Sequence, residues 1–200
     1  MANFNRIAFL YDFLKRLIFS QQLEKAGKYF LDTIPSSSKI LIIGGGTGEI
    51  LKNFNSSHHI TYLELSEVMI RKAKKVNSNS RIEFVQADIL EWTTNDKFDY
   101  VISPFILDCF DEMQLDQIFS GLKNLLNKEG SWIQTDFYPK NRGHKLLINI
   151  MYLFFNWATN LKVKKLADFD SLFKKYNFIF KRKALFYHSM VESRIYQKID

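Results

Sequence analysis

Lys39–Glu49 reads K-I-L-I-I-G-G-G-T-G-E, and it decides the architecture. Ile40–Ile43 form a continuous apolar run that breaks abruptly into glycine. Such a run reads as a strand buried on both faces, as in a parallel sheet. Gly44, Gly46 and Gly48 follow at G-x-G-x-G spacing. Glycine there permits positive φ and lets a ligand lie against bare main chain. Glu49–Phe54 reads as the first turns of a helix whose free N–H groups point back at the loop. Strand, glycine turn and helix together open a nucleotide-binding βαβ unit. The dinucleotide pattern G-x-G-x-x-G needs a third glycine where Glu49 stands, so only the tighter pattern matches.

Outward from this stretch, the chain alternates strands and helices. The next strand is His59–Leu65, and Ser66 caps a helix through Met69, Ile70, Ala73 and Val76. Arg81–Gln86 is a third strand, Phe98–Ser103 a fourth that stops at Pro104, and Ser131–Phe137 a fifth. Asp111 caps a helix through Leu115, Ile118, Phe119, Leu122 and Leu125, and Lys128–Gly130 is a turn. A helix near Asp168–Tyr176 and two β-rich runs, Phe178–Phe186 and Val191–Ile199, close the chain as an antiparallel pair. Upstream, Asn5–Phe19 carries apolar residues at helical spacing, and a second helix near Gln21–Leu31 has Ser20 as its N-cap. This pair can pack on the sheet edge or fold over a ligand as a lid. The predicted fold is a doubly wound, Rossmann-like α/β sheet with one antiparallel strand near the end. The expected organisation is a single domain over 1–200. Residues 1–34 are the N-terminal helical pair, 39–137 the core, 141–176 a helical insert after strand five, and 177–200 the closing hairpin.

Two carboxylates stand where this fold binds ligands. Glu64 ends the second strand, about twenty residues past the glycine loop, where a carboxylate accepts hydrogen bonds from ribose hydroxyls. Its alternative role is a helix cap or a surface charge. Asp88 ends the third strand, where it can accept from an adenine amine while Ile89 covers the ring. Its alternative role is a cap for the turn Ile89–Trp92. NAD and S-adenosylmethionine (SAM) both carry a ribose, so Glu64 alone does not choose between them.

Taken together, Ile40–Gly48, Glu64-Leu-Ser66 with Met69 and Ala73, Ala87-Asp88, Phe98-Asp99 and Lys128-Glu-Gly130 resemble the successive motifs of the class I SAM-dependent methyltransferases. That resemblance implies a seven-stranded, mostly parallel sheet with the last strand antiparallel, and SAM as methyl donor. It implies that Gly44, Gly45, Gly46 and Gly48 line the methionine moiety and that Glu64 binds the ribose. Leu65 and Met69 then pack near the adenosine, and Asp88 and Ile89 hold the adenine. Ser103 and Phe105 face the cofactor and its methyl group. The family usually has an acid two residues before the first glycine, where this chain has Ile42. Phe4–Asp12, with Ala8-x-x-Tyr11-Asp12, is similar to the ubiquinone/menaquinone-biosynthesis and phospholipid methyltransferases. In these the tyrosine closes over the cofactor carboxylate; the matching residue here is Tyr11, whose alternative is a core-facing helix position.

Methyl transfer from a sulfonium is an in-line displacement that needs alignment and dryness, with a base only if the acceptor must lose a proton early. Asp108, Asp136, Tyr138 and His144 are the candidates for that base. Asp136 and Tyr138 lie at the end of strand five, and Asp136 faces the expected substrate side. His58, His59 and His188 have no metal-ligand spacing. His144–Asn160 is a helix apolar on most sides. It is either core, or a lid over a lipophilic acceptor or a membrane-interface helix, with Lys162, Lys164 and Lys165 meeting anionic headgroups. The expected acceptor is a small lipophilic molecule. RNA is the competing class, because the net charge is +7 and the pI about 9.3. Ser103-Pro-Phe-Ile also resembles the loop of base-amine methyltransferases, without its second proline, and no RNA-binding module is recognisable. A third reading, a non-catalytic SAM-binding homologue, rests on Ile42. The run Leu146–Trp157 is too short to span a bilayer. The single cysteine, Cys109, excludes an intramolecular disulfide and fits a cytoplasmic protein without a signal peptide.

Overall fold

The computed structural model describes residues 20–149 and 166–199. The expected helix Asn5–Phe19, with Tyr11, lies outside the described residues. So do Lys162–Lys165 and most of the expected helix His144–Asn160, of which residues 144–149 are helical.

Seven strands form one sheet in the order β3-β2-β1-β4-β5-β7-β6. They are β1 (Lys39–Ile43), β2 (His59–Glu64), β3 (Arg81–Gln86), β4 (Phe98–Pro104), β5 (Leu126–Phe137), β6 (Phe178–Phe186) and β7 (Val191–Lys198). Strands β1 to β5 pair in parallel, and β7 runs antiparallel to both β5 and β6. This is the sheet the sequence predicts. The order reverses between β1 and β4, so the crevice for a ligand opens beyond the carboxyl ends of these two strands.

The apolar run of β1 is buried on both faces, and each face feeds a separate core. Leu41, Ile43, Val101 and Trp132 pack beneath α3 (Glu112–Leu125) and α4 (Phe169–Lys175), around Phe119 and Phe173. On the opposite face Ile40, Ile42, Tyr62, Ile102 and Ile133 pack with Phe30, Leu31, Leu51 and Ala73. Local signals at the helix ends are honoured. The Asp111 carboxylate accepts from Gln114 N at 2.9 Å while Gln114 returns a bond to Asp111 N, a complete capping box. Asp168 caps α4 through Ser171 N at 3.2 Å, and Ser66 caps α2 (Glu67–Ala73) through Met69 N.

Two expectations need correction. Glu49–Asn53 is a short 3-10 helix, not the start of an α-helix. Asn53 Nδ2 donates to Ile50 O and the Asn55 carboxamide oxygen accepts from Ser57 N, so both asparagines divert the main chain from continuing it. A stretch this short offers no helix N-terminus to a ligand, and the loop must bind through its own main chain. Lys128–Gly130 is not a simple turn ahead of a strand. The chain enters β5 at Leu126, opposite Phe98, and pairing resumes only at Ser131 opposite Tyr100. The intervening residues bulge out, with Glu129 at φ 57°. Asp99 anchors the bulge: its carboxylate accepts from Asn127 Nδ2 at 2.7 Å and from Lys39 N at 2.9 Å. α1 (Ser20–Lys28) packs on the edge strand β6, on β7 and against the 3-10 stretch Glu49–Asn53, and Ala26 O accepts from Thr135 Oγ1 at 3.5 Å. Among the described residues, no helix is long and apolar enough to cross a membrane.

Candidate active site

The glycine loop is held from three sides. Gly44, Gly46 and Gly48 all have positive φ, of 64°, 64° and 82°. A Cβ at Gly44 would meet Ile106 at 2.6 Å, one at Gly45 would meet the Tyr62 ring at 2.5 Å, and one at Gly48 would meet the Ala73 main chain at 2.7 Å. At Gly46 alone of these positions a Cβ would meet nothing. Gly46 therefore faces open space, and its left-handed backbone is the place where a ligand can lie on the chain.

Two side chains of β2 fix that open glycine. Glu64 Oε2 accepts from Gly46 N at 3.1 Å and its Oε1 from Ser66 N at 2.9 Å, while the buried Tyr62 hydroxyl donates to Gly46 O at 2.9 Å. Burial raises the pKa of Glu64, and the bonds from Ser66 and Gly46 oppose that rise. Ile42 stands opposite Tyr62 in the β1–β2 register and is wholly buried. Thus the acid that the family carries in β1 is absent, and the main chain of the loop is pinned from β2 instead. Tyr62 escaped the sequence reading. It occurs two residues before Glu64 and so shares its face of β2, but only the register shows its hydroxyl reaching Gly46.

Asp88 follows β3. Its Oδ1 accepts from Leu90 N at 2.9 Å, and its carbonyl accepts from Trp92 N at 2.8 Å, so it shapes the turn and remains half-buried. Ile89 packs against the core with Leu63 nearby in the same cluster. Leu65 is half-buried and Met69 is buried.

Beyond β4 the chain turns sharply. Phe105 sits at φ 54° with its N–H donating to Thr135 O at 2.8 Å, and its ring is 5.6 Å from that of Phe137. Phe105, Leu147, Phe186 and Tyr187 border an apolar cluster built on Leu23, Phe137, Ile148 and Met190. Ser103 does not face the crevice. It is fully buried, and its Oγ accepts from Trp132 Nε1 at 2.8 Å. The reason is alternation: Ser103 follows Ile102 on β4 and turns toward the core that holds Trp132.

The end of β5 carries ionisable groups. Asp136 is wholly buried. Its Oδ1 accepts from Phe137 N at 2.9 Å, and the carboxyl also accepts from the Asp108 main-chain N–H and the Gln134 side chain. Burial, then the charge of Asp108, pushes its pKa well above the ordinary carboxylate value. Asp108, half-buried on the 3-10 turn Leu107–Cys109, is raised to about 6 by burial. The Cys109 thiol, 3.5 Å from Asp108, is pushed up by burial and then by Asp108, Asp136 and Glu64. Tyr138 is turned inward. Its hydroxyl donates to Gln134 Oε1 at 2.6 Å, and its ring carries the Arg194 guanidinium at 3.6 Å. Burial raises that phenol well above its usual value, which leaves it a structural partner of Gln134 rather than a group poised to take a proton. Arg194 in turn binds Glu192, Tyr196 and Asp170. Among the described residues no group of three or more His, Cys, Asp or Glu is placed to hold a metal ion.

A seven-stranded sheet of this order, with an open glycine loop and carboxylates at the ends of β2 and β3, defines a class I methyltransferase architecture. The methyltransferase-domain family model matches residues 40–130. Two curated relatives are both tRNA1(Val) (adenine(37)-N6)-methyltransferases. The one from Glaesserella parasuis is 39% identical over 77 residues, covering 34% of this chain and 33% of its own length. The one from Bacteroides thetaiotaomicron is 28% identical over 123 residues, covering 50% of this chain and 52% of its own. The chain thus spans a third to a half of the length of these relatives. A TehB-like SAM-dependent methyltransferase from Corynebacterium glutamicum superimposes with a TM-score of 0.66 at 14% identity, over 98% of this chain and 97% of its own. The narrower likeness to quinone-biosynthesis enzymes rests on residues 4–12 and gains no support from these matches.

Proposed function

We propose that this chain transfers the methyl group of SAM to a small acceptor of lipophilic character. The observation that carries the donor side is Gly46: an uncovered, left-handed glycine, braced by Glu64 and Tyr62, at the switch point of the sheet. In this reading Gly44–Gly48 receive the methionine portion, Glu64 exchanges its bond to Gly46 for the ribose hydroxyls, and Asp88 and Ile89 take the adenine. SAM supplies an electrophilic methyl on sulfur, and the protein aligns an acceptor with it and keeps water out.

On the acceptor side, support comes from the rings of Phe105 and Phe137 beside Met190 and Ile148, an apolar wall next to the β4 and β5 ends. The tRNA relatives and the basic composition favour a nucleic-acid acceptor as second reading. Against it stands Ser103. In an S-P-F-I loop that hydroxyl would have to accept from a base amine, yet it is buried against Trp132. A non-catalytic SAM-binding role is the third outcome, motivated by Ile42.

One set of measurements separates the three. S-adenosylhomocysteine (SAH) should raise the melting temperature, and no shift would favour the non-catalytic reading. Radiolabelled SAM should then mark a component of a lipid extract. Label in RNA, together with retention on heparin that is lost at moderate salt, would move the assignment to nucleic acid.

A further inference from the structure

We infer that Tyr62 positions the methyl donor through the Gly46–Thr47 peptide, and that Gly45 is glycine in order to seat the Tyr62 ring rather than to touch the ligand. This rests on the methyltransferase reading above, in which the glycine loop receives the methionine portion of the cofactor. Tyr62 acts through the loop and is a positioning residue. Its ring is fixed before any ligand binds. It is wholly buried on β2, beside Ile42 of β1 and in one core with Ile40, Ile60 and Ile102. The Phe84 ring of β3 lies 5.4 Å away. A ring enclosed in a close-packed interior has little room to swing aside.

Each glycine of the loop answers to a different neighbour. Gly44, Gly46 and Gly48 need their left-handed backbone, with φ of 64°, 64° and 82°. Gly45 has no positive φ, so its main chain would accept alanine. What excludes a side chain there is Tyr62: an added Cβ would stand 2.5 Å from the ring and 2.6 Å from the hydroxyl oxygen. Such a Cβ points at the buried tyrosine, not at the open space over Gly46. The second glycine of the loop is therefore the counterpart of an aromatic residue on the neighbouring strand.

Strand β2 holds the loop at three points. Gly44 N donates to Leu63 O at 2.9 Å, Gly46 N donates to Glu64 Oε2 at 3.1 Å, and Gly46 O accepts from the Tyr62 hydroxyl at 2.9 Å. Gly45 O accepts from Gly48 N at 3.3 Å and closes the turn. The Gly46–Thr47 peptide is trans and planar, so its C=O and N–H point in opposite directions. Drawing Gly46 O toward β2 turns the Thr47 N–H away from β2. That N–H adjoins the one glycine of the loop where an added Cβ would meet nothing. A main-chain donor preset in this way suits an anionic group, and the carboxylate of the methionine portion is the anion that the cofactor carries. Ile42 has no polar side-chain atom, so the hydroxyl that reaches the loop from this face is that of Tyr62. Without it the peptide is free to rotate, and the methionine portion loses a preset partner.

The full chain is titrated with SAH and, separately, with methylthioadenosine, which keeps the nucleoside and lacks the amino-acid portion. Tyr62→Phe keeps the ring and removes the hydroxyl. It should weaken SAH about fivefold and leave methylthioadenosine within about twofold. Gly45→Ala should weaken SAH at least as much in the wild-type background. In a Tyr62→Leu background, where the ring it would meet is gone, the same change should cost less than about twofold. Melting of each ligand-free variant reports folding, and Tyr62→Phe decides alone if Tyr62→Leu does not fold. An equal loss for both ligands makes Tyr62 a core residue only, and an unchanged SAH affinity in Tyr62→Phe makes its hydroxyl idle. Either overturns the inference alone, as does a Gly45→Ala cost that persists without the ring. Failure of the wild-type chain to bind SAH overturns the methyltransferase reading and this inference with it.

Discussion

The two ends of the crevice are built on different principles. At the β1–β2 end, every polar group around the open glycine has a partner: Glu64 bonds two main-chain N–H groups, and Tyr62 bonds a carbonyl. At the β4–β5 end, burial raises the pKa of two carboxyls, and the charge of Asp108 adds to the rise at Asp136. The first end is satisfied before a ligand arrives and need only exchange bonds. The second carries the cost of burying two carboxyls side by side. A shared donor needs the same cradle whatever the acceptor, whereas the acceptor end is where enzymes of one fold diverge.

The contrast breaks most readily at Glu64. Glu64→Ala removes the ribose partner and the brace on Gly46 together, and SAM affinity should fall by about 2–3 kcal/mol, roughly 30- to 150-fold, by calorimetry. A variant that binds SAM normally would deny the β2 end its role. Asp136→Asn tests the other end with the opposite sign. A carboxyl whose pKa rises on folding lends full stability below its unfolded value, and that stability is lost as pH climbs through the folded one. For this pair the window opens near 3.8 and runs through about 6 and above. The ligand-free wild type should thus weaken as pH rises from 4 to 8. Asp136→Asn should melt higher than wild type at pH 8, by a margin on the order of 2 kcal/mol, and show little gain at pH 4. Chemical denaturation at the two pH values reads both.

Smaller effects sharpen the distinction. Ser103→Ala strands the Trp132 indole N–H and should cost about 1–2 kcal/mol of stability, yet leave SAM affinity unchanged, because Ser103 faces the core. Tyr62→Phe removes only the bond to the Gly46 carbonyl. A loss of about 1 kcal/mol, seen as a few-fold weaker SAM binding with unaltered pH dependence, is expected.

How much of this the sequence discloses differs between the same two ends. The apolar run into glycine at Ile40–Gly48, the strand-end positions of Glu64 and Asp88, and the caps Ser66 and Asp111 are local signals, and all appear where the pattern puts them. What escapes is set by contacts distant in the chain. The family resemblance puts Ser103 at the cofactor, but its direction depends on Trp132, 29 residues later. Tyr138 was a candidate base because it follows β5, but Gln134 and Arg194 claim its hydroxyl and its ring. Tyr62 looked like an ordinary strand residue until the β1–β2 register carried it under Gly46. The 3-10 stretch Glu49–Asn53 misled for the opposite reason, since short-range bonds from Asn53 and Asn55 overrode a helical pattern. The bulge at 127–130 follows from Asp99 reaching across to Asn127, a bond no spacing rule contains.

Ile106 resting where Gly44 lacks a side chain has a thermodynamic corollary. A rigid contact between donor loop and acceptor turn means that neither can shift without disturbing its neighbour. Whatever factor the nucleoside adds to acceptor affinity, the acceptor must add to nucleoside affinity in return. Under the proposed function Gly44 and Ile106 would couple the two ligands, and the stiffness of their contact would be read in the order in which they come on and off.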